Sequence, residues 1–487
     1  MKLLPPYATL LSAALLSISL SAPANAGQSL EQIRYALFKD PAAPVEADLR
    51  LLAERDDRAA QHLLGNVLAS DPAKTREAVQ VYQSAFDDGR GDIAALGSLA
   101  RLLDRTPRLR LEHAAYVREA LQQFAHERDV RSLNTSLEVF VAYPELFTPQ
   151  QTNTLIELYD RSCLLQCSSD LYRAVLAERL QRFDEAKTWY ERAMMTDVRA
   201  VDRYYTLLGE QQDPLFAAFA RSRVGEINRM PVEIVHRIGT QLDSISAERS
   251  VGLRYPLPPS QAELDQLPEA QRDLRREQID QVRTEIENES KTLRGDALIW
   301  LDNAVSRGWV PAMVAKVNFM TSSPTENSAE DTAALIDRIA ESEPTRAKAL
   351  RVSLHLVTSW TTLDPYKAQA LIDELAEAQY RDATLLQGDL YSHGGLDEPD
   401  QQKALGIYEG LAAGGSSTAY YRMASVYSSA RAICYDPVKA YAYARVAVDY
   451  GDSRARNLVR ELQRTMPHGD IEKALLVHAT LLKDAPQ

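Results

Sequence analysis

Asp364-Pro365-Tyr366-Lys367-Ala368, Asp400-Gln401-Gln402-Lys403-Ala404 and Asp436-Pro437-Val438-Lys439-Ala440 are three copies of one phrase, each 36 residues after the last. The register extends beyond the phrase. Leu371, Ile407 and Tyr443 keep step, as do Ala383, Ala419 and Ala455, and Tyr391 with Tyr427. A fixed period in this range marks a solenoid, whose units bury their apolar faces only against their neighbours. Within a unit, Ala404, Ile407, Tyr408 and Leu411 recur at helical spacing, the apolar stripe of a helix. Asp offers a carboxylate to the free N–H groups that open a helix, and Pro is tolerated in the first turn. Gly415 and Gly451 stand where that helix must end, because glycine takes the left-handed cap without strain. A second helix then begins near Ala419 or Ala455. The expected fold is all-α, an α-solenoid of stacked helix–turn–helix hairpins.

The same frame fits earlier parts of the chain in worn form. Ala78, Val81, Tyr82, Ala85 and Gly89 match it, then Ala114, Val117, Leu121 and Ala125. Ala186, Trp189, Tyr190 and Ala193 follow, and later Ala297, Trp300, Leu301, Ala304, Gly308 and Ala312. In this frame Trp189 takes the stripe position of Ile407. Asp71-Pro72 and Asp213-Pro214 read as the same punctuation as Asp364-Pro365. Two stretches interrupt the pattern: 134–152, with Pro144 and Pro149, and 251–268, with Pro256, Pro258, Pro259 and Pro268. A highly charged segment, 269–291, follows the second. The expected organisation is a signal peptide at 1–26, divergent helical repeats at 27–250, a Pro-rich and charged joint at 251–295, and C-terminal repeats at 296–487, most regular at 364–455.

The bulk properties narrow the function. A hydrophobic content of 45% permits a real core, and 22 tyrosines among few other aromatics suggest Ala/Leu helix packing with tyrosine at its edges. The net charge of −13 argues against nucleic acid, whose backbone needs a basic face. Lys2, an apolar run at 7–22 and Ala24-Asn25-Ala26 read as an export signal cleaved after Ala26, which places the mature chain outside the cytoplasm. In such a compartment Cys163 and Cys167 are close enough to bridge, the other reading being two packed thiols at a helix end. So small a loop yields only about 2 kcal/mol of entropic stabilisation.

The motifs of common chemistries are absent. There is no phosphate loop, no G-x-G-x-x-G, no H-E-x-x-H and no G-x-S-x-G, and the eight histidines are scattered. No catalytic, cofactor-binding or metal-ligating residue is expected. With the repeated Asp, Lys, Ala and Gly assigned to fold-making, function falls to positions off the stripe. Tyr420, Arg422, Tyr441 and Arg445 are the candidate partner-binding residues, expected to be exposed.

Gly388, Leu390 and Tyr391, followed by Asp400, Lys403, Ala404, Tyr408, Leu411, Ala412 and Gly415, resemble a SEL1-like repeat, a relative of the tetratricopeptide repeat (TPR). Ala424, Val426, Tyr427, Asp436, Lys439, Ala440, Tyr443, Ala444, Ala447 and Gly451 form the next copy. The resemblance implies a right-handed α-solenoid used as an adaptor in protein assemblies. The export signal, the chain length and the order of divergent then regular repeats are also similar to the repeat proteins of bacterial alginate export. Those are lipoproteins, and Gly27 stands where their lipidated Cys would be. That likeness implies a non-enzymatic periplasmic scaffold. Its partners would be other envelope proteins, among them an outer-membrane polysaccharide export pore. The alternative is direct binding of an acidic polysaccharide by exposed Tyr and Arg.

Overall fold

A computed structural model describes residues 28–484, other than 40, 42, 72–73, 87–91, 125–128, 164–166, 257, 260, 394–399, 430–434 and 453. The expected signal peptide at 1–26, Cys434, Pro72, Gly89 and Ala125 therefore lie outside the described residues. Among those described, all regular structure is helical, with 27 α-helices and short 3-10 turns.

The periodic phrase builds the hairpins it promises. Pro365–Glu377, Ala383–His393, Gln401–Ala413, Ser417–Ser428, Pro437–Asp449 and Ala455–Thr465 pack each on the next. Asp364, Asp400 and Asp436 are N-caps, whose carboxylates accept from the backbone N–H of Lys367, Lys403 and Lys439 at 3.1, 3.0 and 3.0 Å. The turn glycines Gly308, Gly415 and Gly451 have φ of 77°, 89° and 92°. One period before Gly415, Gln379 makes the same turn at φ 53°. A side chain there opposes the left-handed conformation by about 1–2 kcal/mol, while glycine loses about 0.5–1 kcal/mol more chain entropy on folding. Gln379→Gly is therefore expected to raise the melting temperature in calorimetry, and Gln379→Ala to leave it unchanged; a lower melting temperature for the glycine variant contradicts this.

Asp213-Pro214 departs from the expected punctuation. The helix Gln212–Arg223 starts two residues earlier than that pattern requires, with Gln211 at its cap. Asp213 is instead buried and accepts the Tyr205 hydroxyl at 2.5 Å.

One packing device recurs at both ends of the chain. A Cβ on Gly388 would lie 2.4 Å from Cε1 of Tyr408, and one on Gly65 would lie 2.5 Å from Cε1 of Tyr82. Each tyrosine ring thus sits directly on a glycine of the neighbouring helix. Each hydroxyl donates to the next residue after that glycine, Tyr408 to Asp389 at 2.7 Å and Tyr82 to Asn66 at 2.8 Å. Both rings are buried, and desolvation pushes the Tyr82 phenol up to about 12.

The region expected to be a joint is spanned by structure. Glu269–Ser306 is one helix of 38 residues, so the boundary at 295 falls inside it. At 1.5 Å per residue it is roughly 57 Å long. Its first half is almost wholly exposed, as its charges dictate, and from Ser290 onward it enters the core through Leu293, Ala297, Trp300 and Leu301. Gly239 lets the helix Val232–Ser246 approach it, a Cβ there lying 3.0 Å from the Leu301 side chain. One apolar core runs from Ile33 to Trp360 through Val251 and Leu293, a small one joins Val352 to Leu390, and a third spans Ala404 to Ala474.

Two titrating groups on Val232–Ser246 act in opposite senses. Burial holds His236 down at about 4 and pushes Asp243 up to about 6. Below its ordinary 6.5 the His236 imidazole binds protons in the unfolded chain first, so stability falls as pH drops from 6.5 toward 4. Asp243 takes up its proton first in the folded chain, which offsets part of that loss between about 6 and 3.8. Urea titrations at pH 6.5 and 4.5 should show a smaller acid loss in His236→Leu than in the parent, and a larger one in Asp243→Asn. Parallel behaviour of all three chains contradicts the assignment.

The last repeats return to the first half of the chain through polar contacts. Arg108 donates to the Leu482 carbonyl at 2.9 Å and to the Tyr450 hydroxyl at 3.3 Å. Arg381 donates to the Ser70 hydroxyl at 2.8 Å, Asn457 to the Ser250 hydroxyl at 2.8 Å, and Arg464 to the carbonyls of Gly252 and Tyr255. These bonds run to side chains and to backbone carbonyls alike, while the apolar clusters of the two regions stay separate.

Candidate binding cleft

The expected partner-binding residues are not exposed anchors. Tyr420 is 5% and Tyr441 2% exposed. Tyr420 is one ring of a column: Tyr427 stacks on Tyr443 at 5.7 Å, Tyr443 on Tyr420 at 6.3 Å, and Tyr420 on Tyr450 at 5.7 Å. Lys439 lies over one end and Arg108 over the other. The column forms because Tyr420 and Tyr427, like Tyr443 and Tyr450, are two turns apart on facing helices. Arg422 is paired with Asp389 at 2.8 Å, and Arg445 is half-buried. Tyr420 and Tyr441 are therefore packed inside the repeats, and Arg422 is tied to Asp389.

One constellation invites a catalytic reading. His62 Nδ1 lies 2.7 Å from Asp92 and Nε2 lies 2.9 Å from Ser98 Oγ. The geometry is that of a base between an orienting carboxylate and a hydroxyl. Ser98, however, is buried inside the helix Ile93–Asp104, whose backbone N–H groups are committed to the helix, and its Oγ also accepts from Arg101 at 2.9 Å. Neither cleft described below includes these residues. The chain of bonds ties two helices together, and its hydrogen bond to His62 holds the Asp92 carboxyl below its usual range. Among the described residues no group of three or more His, Cys, Asp or Glu is placed to hold a metal ion.

Among the described residues, two of the surface clefts are large enough to hold a small ligand. The first, of about 320 Å³, lies between Pro149–Ser162, Asp170–Arg179 and Phe183–Ala193 and is lined by Gln150, Asn153, Arg173, Arg182, Glu185 and Trp189, among others. Trp189 is half-buried, not the core residue its repeat position suggests. The guanidiniums of Arg192 and Arg173 lie 4.6 and 5.3 Å from the centre of its ring. Arg173 is held by Asp160 at 2.6 Å, whereas Arg182 is 63% exposed and only loosely paired with Glu185 at 3.5 Å. Cys163 and Cys167, with Cα atoms 6.0 Å apart, are joined in a disulfide between the first two of these helices. The second cleft, of about 470 Å³, is lined by Gln402, Glu409, Tyr427, Tyr435, Asp436 and Lys439. The first cleft sets two arginines against one glutamate; the second sets one lysine against two carboxylates.

No family model matches the chain. Over 103 residues it is 34% identical to the alginate biosynthesis protein AlgK of Azotobacter vinelandii, a match covering 21% of this chain and 22% of that protein. The chain therefore spans about a fifth of that relative. Among solved structures it is similar to c5321, a protective antigen of uropathogenic Escherichia coli with an SLR fold, at 14% identity and a TM-score of 0.26, covering 91% of this chain and 87% of that one. It is also similar to a chain of the APC/C hetero-tetramer Cut9–Hcn1, at 11% identity and a TM-score of 0.26, covering 95% and 100%.

Proposed function

We propose that this hairpin-repeat protein is an exported, non-enzymatic scaffold that holds other envelope proteins together in the secretion of alginate or a related exopolysaccharide. The observation that carries the reading is the 34% identity to an alginate biosynthesis protein, found in a chain built of SEL1/TPR-like hairpins. Stacked hairpins present a long preformed surface, so a partner is bound without first ordering the scaffold. The partners on this reading are envelope proteins, among them an outer-membrane polysaccharide export pore. On this reading residues 1–26 act as a cleaved export signal and the mature chain works in the periplasm; Lys2, the apolar run at 7–22 and Ala24-Asn25-Ala26 support it.

Two observations test the reading. Terminal sequencing of the protein recovered from a periplasmic fraction should begin at Gly27; recovery from the cytosol with residues 1–26 intact removes the envelope role. Deleting the gene should abolish polymer in the medium, and restoring the chain should bring it back. Unchanged polymer export in the deletion strain contradicts the secretion role.

A further inference from the structure

We propose that the cleft of Trp189, Arg173 and Arg182 binds a carboxylated sugar unit of an acidic polysaccharide. The polymer class leans on the secretion reading above, while the cleft's chemistry stands apart from it.

Three features point to this ligand. The cleft, at about 320 Å³, lies at the small end of the size range of ligand pockets. Trp189 lines the cleft as an apolar wall for the carbon skeleton of a sugar, its ring flanked by the guanidiniums of Arg192 and Arg173 at 4.6 and 5.3 Å. Arg173 is aligned by Asp160 and by the Ser169 hydroxyl at 3.2 Å, and Arg182 is free to swing from its loose pairing. A guanidinium recognises a carboxylate with two parallel hydrogen bonds. The amides of Gln150 and Asn153, on the first turns of the helix Pro149–Ser162, bring both donors and acceptors, which hydroxyl groups require. A purely acidic peptide offers backbone N–H groups to the amide oxygens but no sugar skeleton to set against Trp189.

Charge separates this cleft from the rest of the molecule. The chain carries −13, and the cleft at Tyr427 and Tyr435 has more carboxylates than cations, so a polyanion is repelled there. The Trp189 cleft is lined by Arg173 and Arg182 against Glu185, with Asp160 behind Arg173, so it carries no such excess of carboxylates. The Cys163–Cys167 bridge lies in the connection between two of the helices that line it.

The test is titration calorimetry of the full mature chain with an alginate-derived hexauronate. A neutral glucose hexamer and a hexaglutamate peptide serve as controls. Binding of the hexauronate, weakened by added salt, is expected, with no binding of either control. Trp189→Ala should weaken it about tenfold, the factor a single contact of about 1.4 kcal/mol supplies. Trp189→Phe should retain most of it, and Arg182→Glu, a change at an exposed site, should weaken it at least as much as Trp189→Ala. If Trp189→Ala fails to fold, the Arg182→Glu and Trp189→Phe results decide. The proposal is overturned by no binding to the parent, by unchanged affinity in Arg182→Glu, or by equal binding of hexaglutamate. Failure of the scaffold reading is separable: a chain that captures no envelope protein yet binds hexauronate leaves this inference intact.

Discussion

Gly388→Leu is expected to collapse the C-terminal hairpins. Even a single Cβ at this position would stand 2.4 Å from Tyr408 Cε1 and 3.0 Å from two more ring atoms. The ring cannot retreat, because it is fully buried and its hydroxyl is tied to Asp389, which also holds Arg422 at 2.8 Å. Overpacking of a tight core costs about 1–3 kcal/mol, and a leucine here exceeds the single-methyl case on which that range rests. For Gly388→Ala the strain is partly offset by helix propensity, which favours Ala over Gly by about 1 kcal/mol. Tyr408→Ala alone should cost about 3–5 kcal/mol through the cavity it leaves. The pair should be strongly non-additive: with the ring gone, Gly388→Ala becomes neutral or stabilising. A denaturation cycle of the two single variants and the double measures this directly, and simple additivity would remove the glycine seat from the account.

Glu138→Ala is expected to be comparably damaging in the N-terminal repeats. The Glu138 side chain is 4% exposed and takes Arg199 with both oxygens, at 2.5 and 3.0 Å. It also accepts the Tyr172 hydroxyl at 3.0 Å and lies 3.7 Å from Arg101. Removing one partner of a buried ion pair leaves the other charge uncompensated, a loss of about 3–5 kcal/mol. Asp197, 2.7 Å from Arg199, recovers part of it and places the expected value at the lower end. Glu138→Gln keeps the shape and the tyrosine's acceptor and should lose less. Equal stability of Glu138→Ala and the parent in urea would show that this network does not hold the repeats together.

These two sites also mark what the sequence could and could not disclose. Local devices were legible. An Asp at a helix start and a Gly at its end act through their own backbone, so Asp364, Asp400, Asp436, Gly415 and Gly451 behave as the 36-residue frame requires. Burial set by pairing between helices was not. Tyr420 and Tyr441 lie off the stripe of one helix, yet both are buried, and only the two-turn spacing of Tyr420 with Tyr427 and Tyr443 with Tyr450 hinted at the column that covers Tyr420. Trp189 errs the other way, a repeat-core position that the cleft leaves half-open. The charged stretch at 269–291 carries strong helix formers and runs on into Leu293, Ala297 and Trp300, so it extends one helix instead of parting two arrays. The return of Arg381, Asn457 and Arg464 to the first half depends on the summed rotation of many repeats, which no single motif encodes.

The most direct test of the scaffold role is partner capture. The mature chain, tagged at its C-terminus and cross-linked in intact cells, should recover a small and reproducible set of envelope proteins in near-stoichiometric amounts, among them an outer-membrane pore. Recovery of no envelope protein above an untagged control would contradict it.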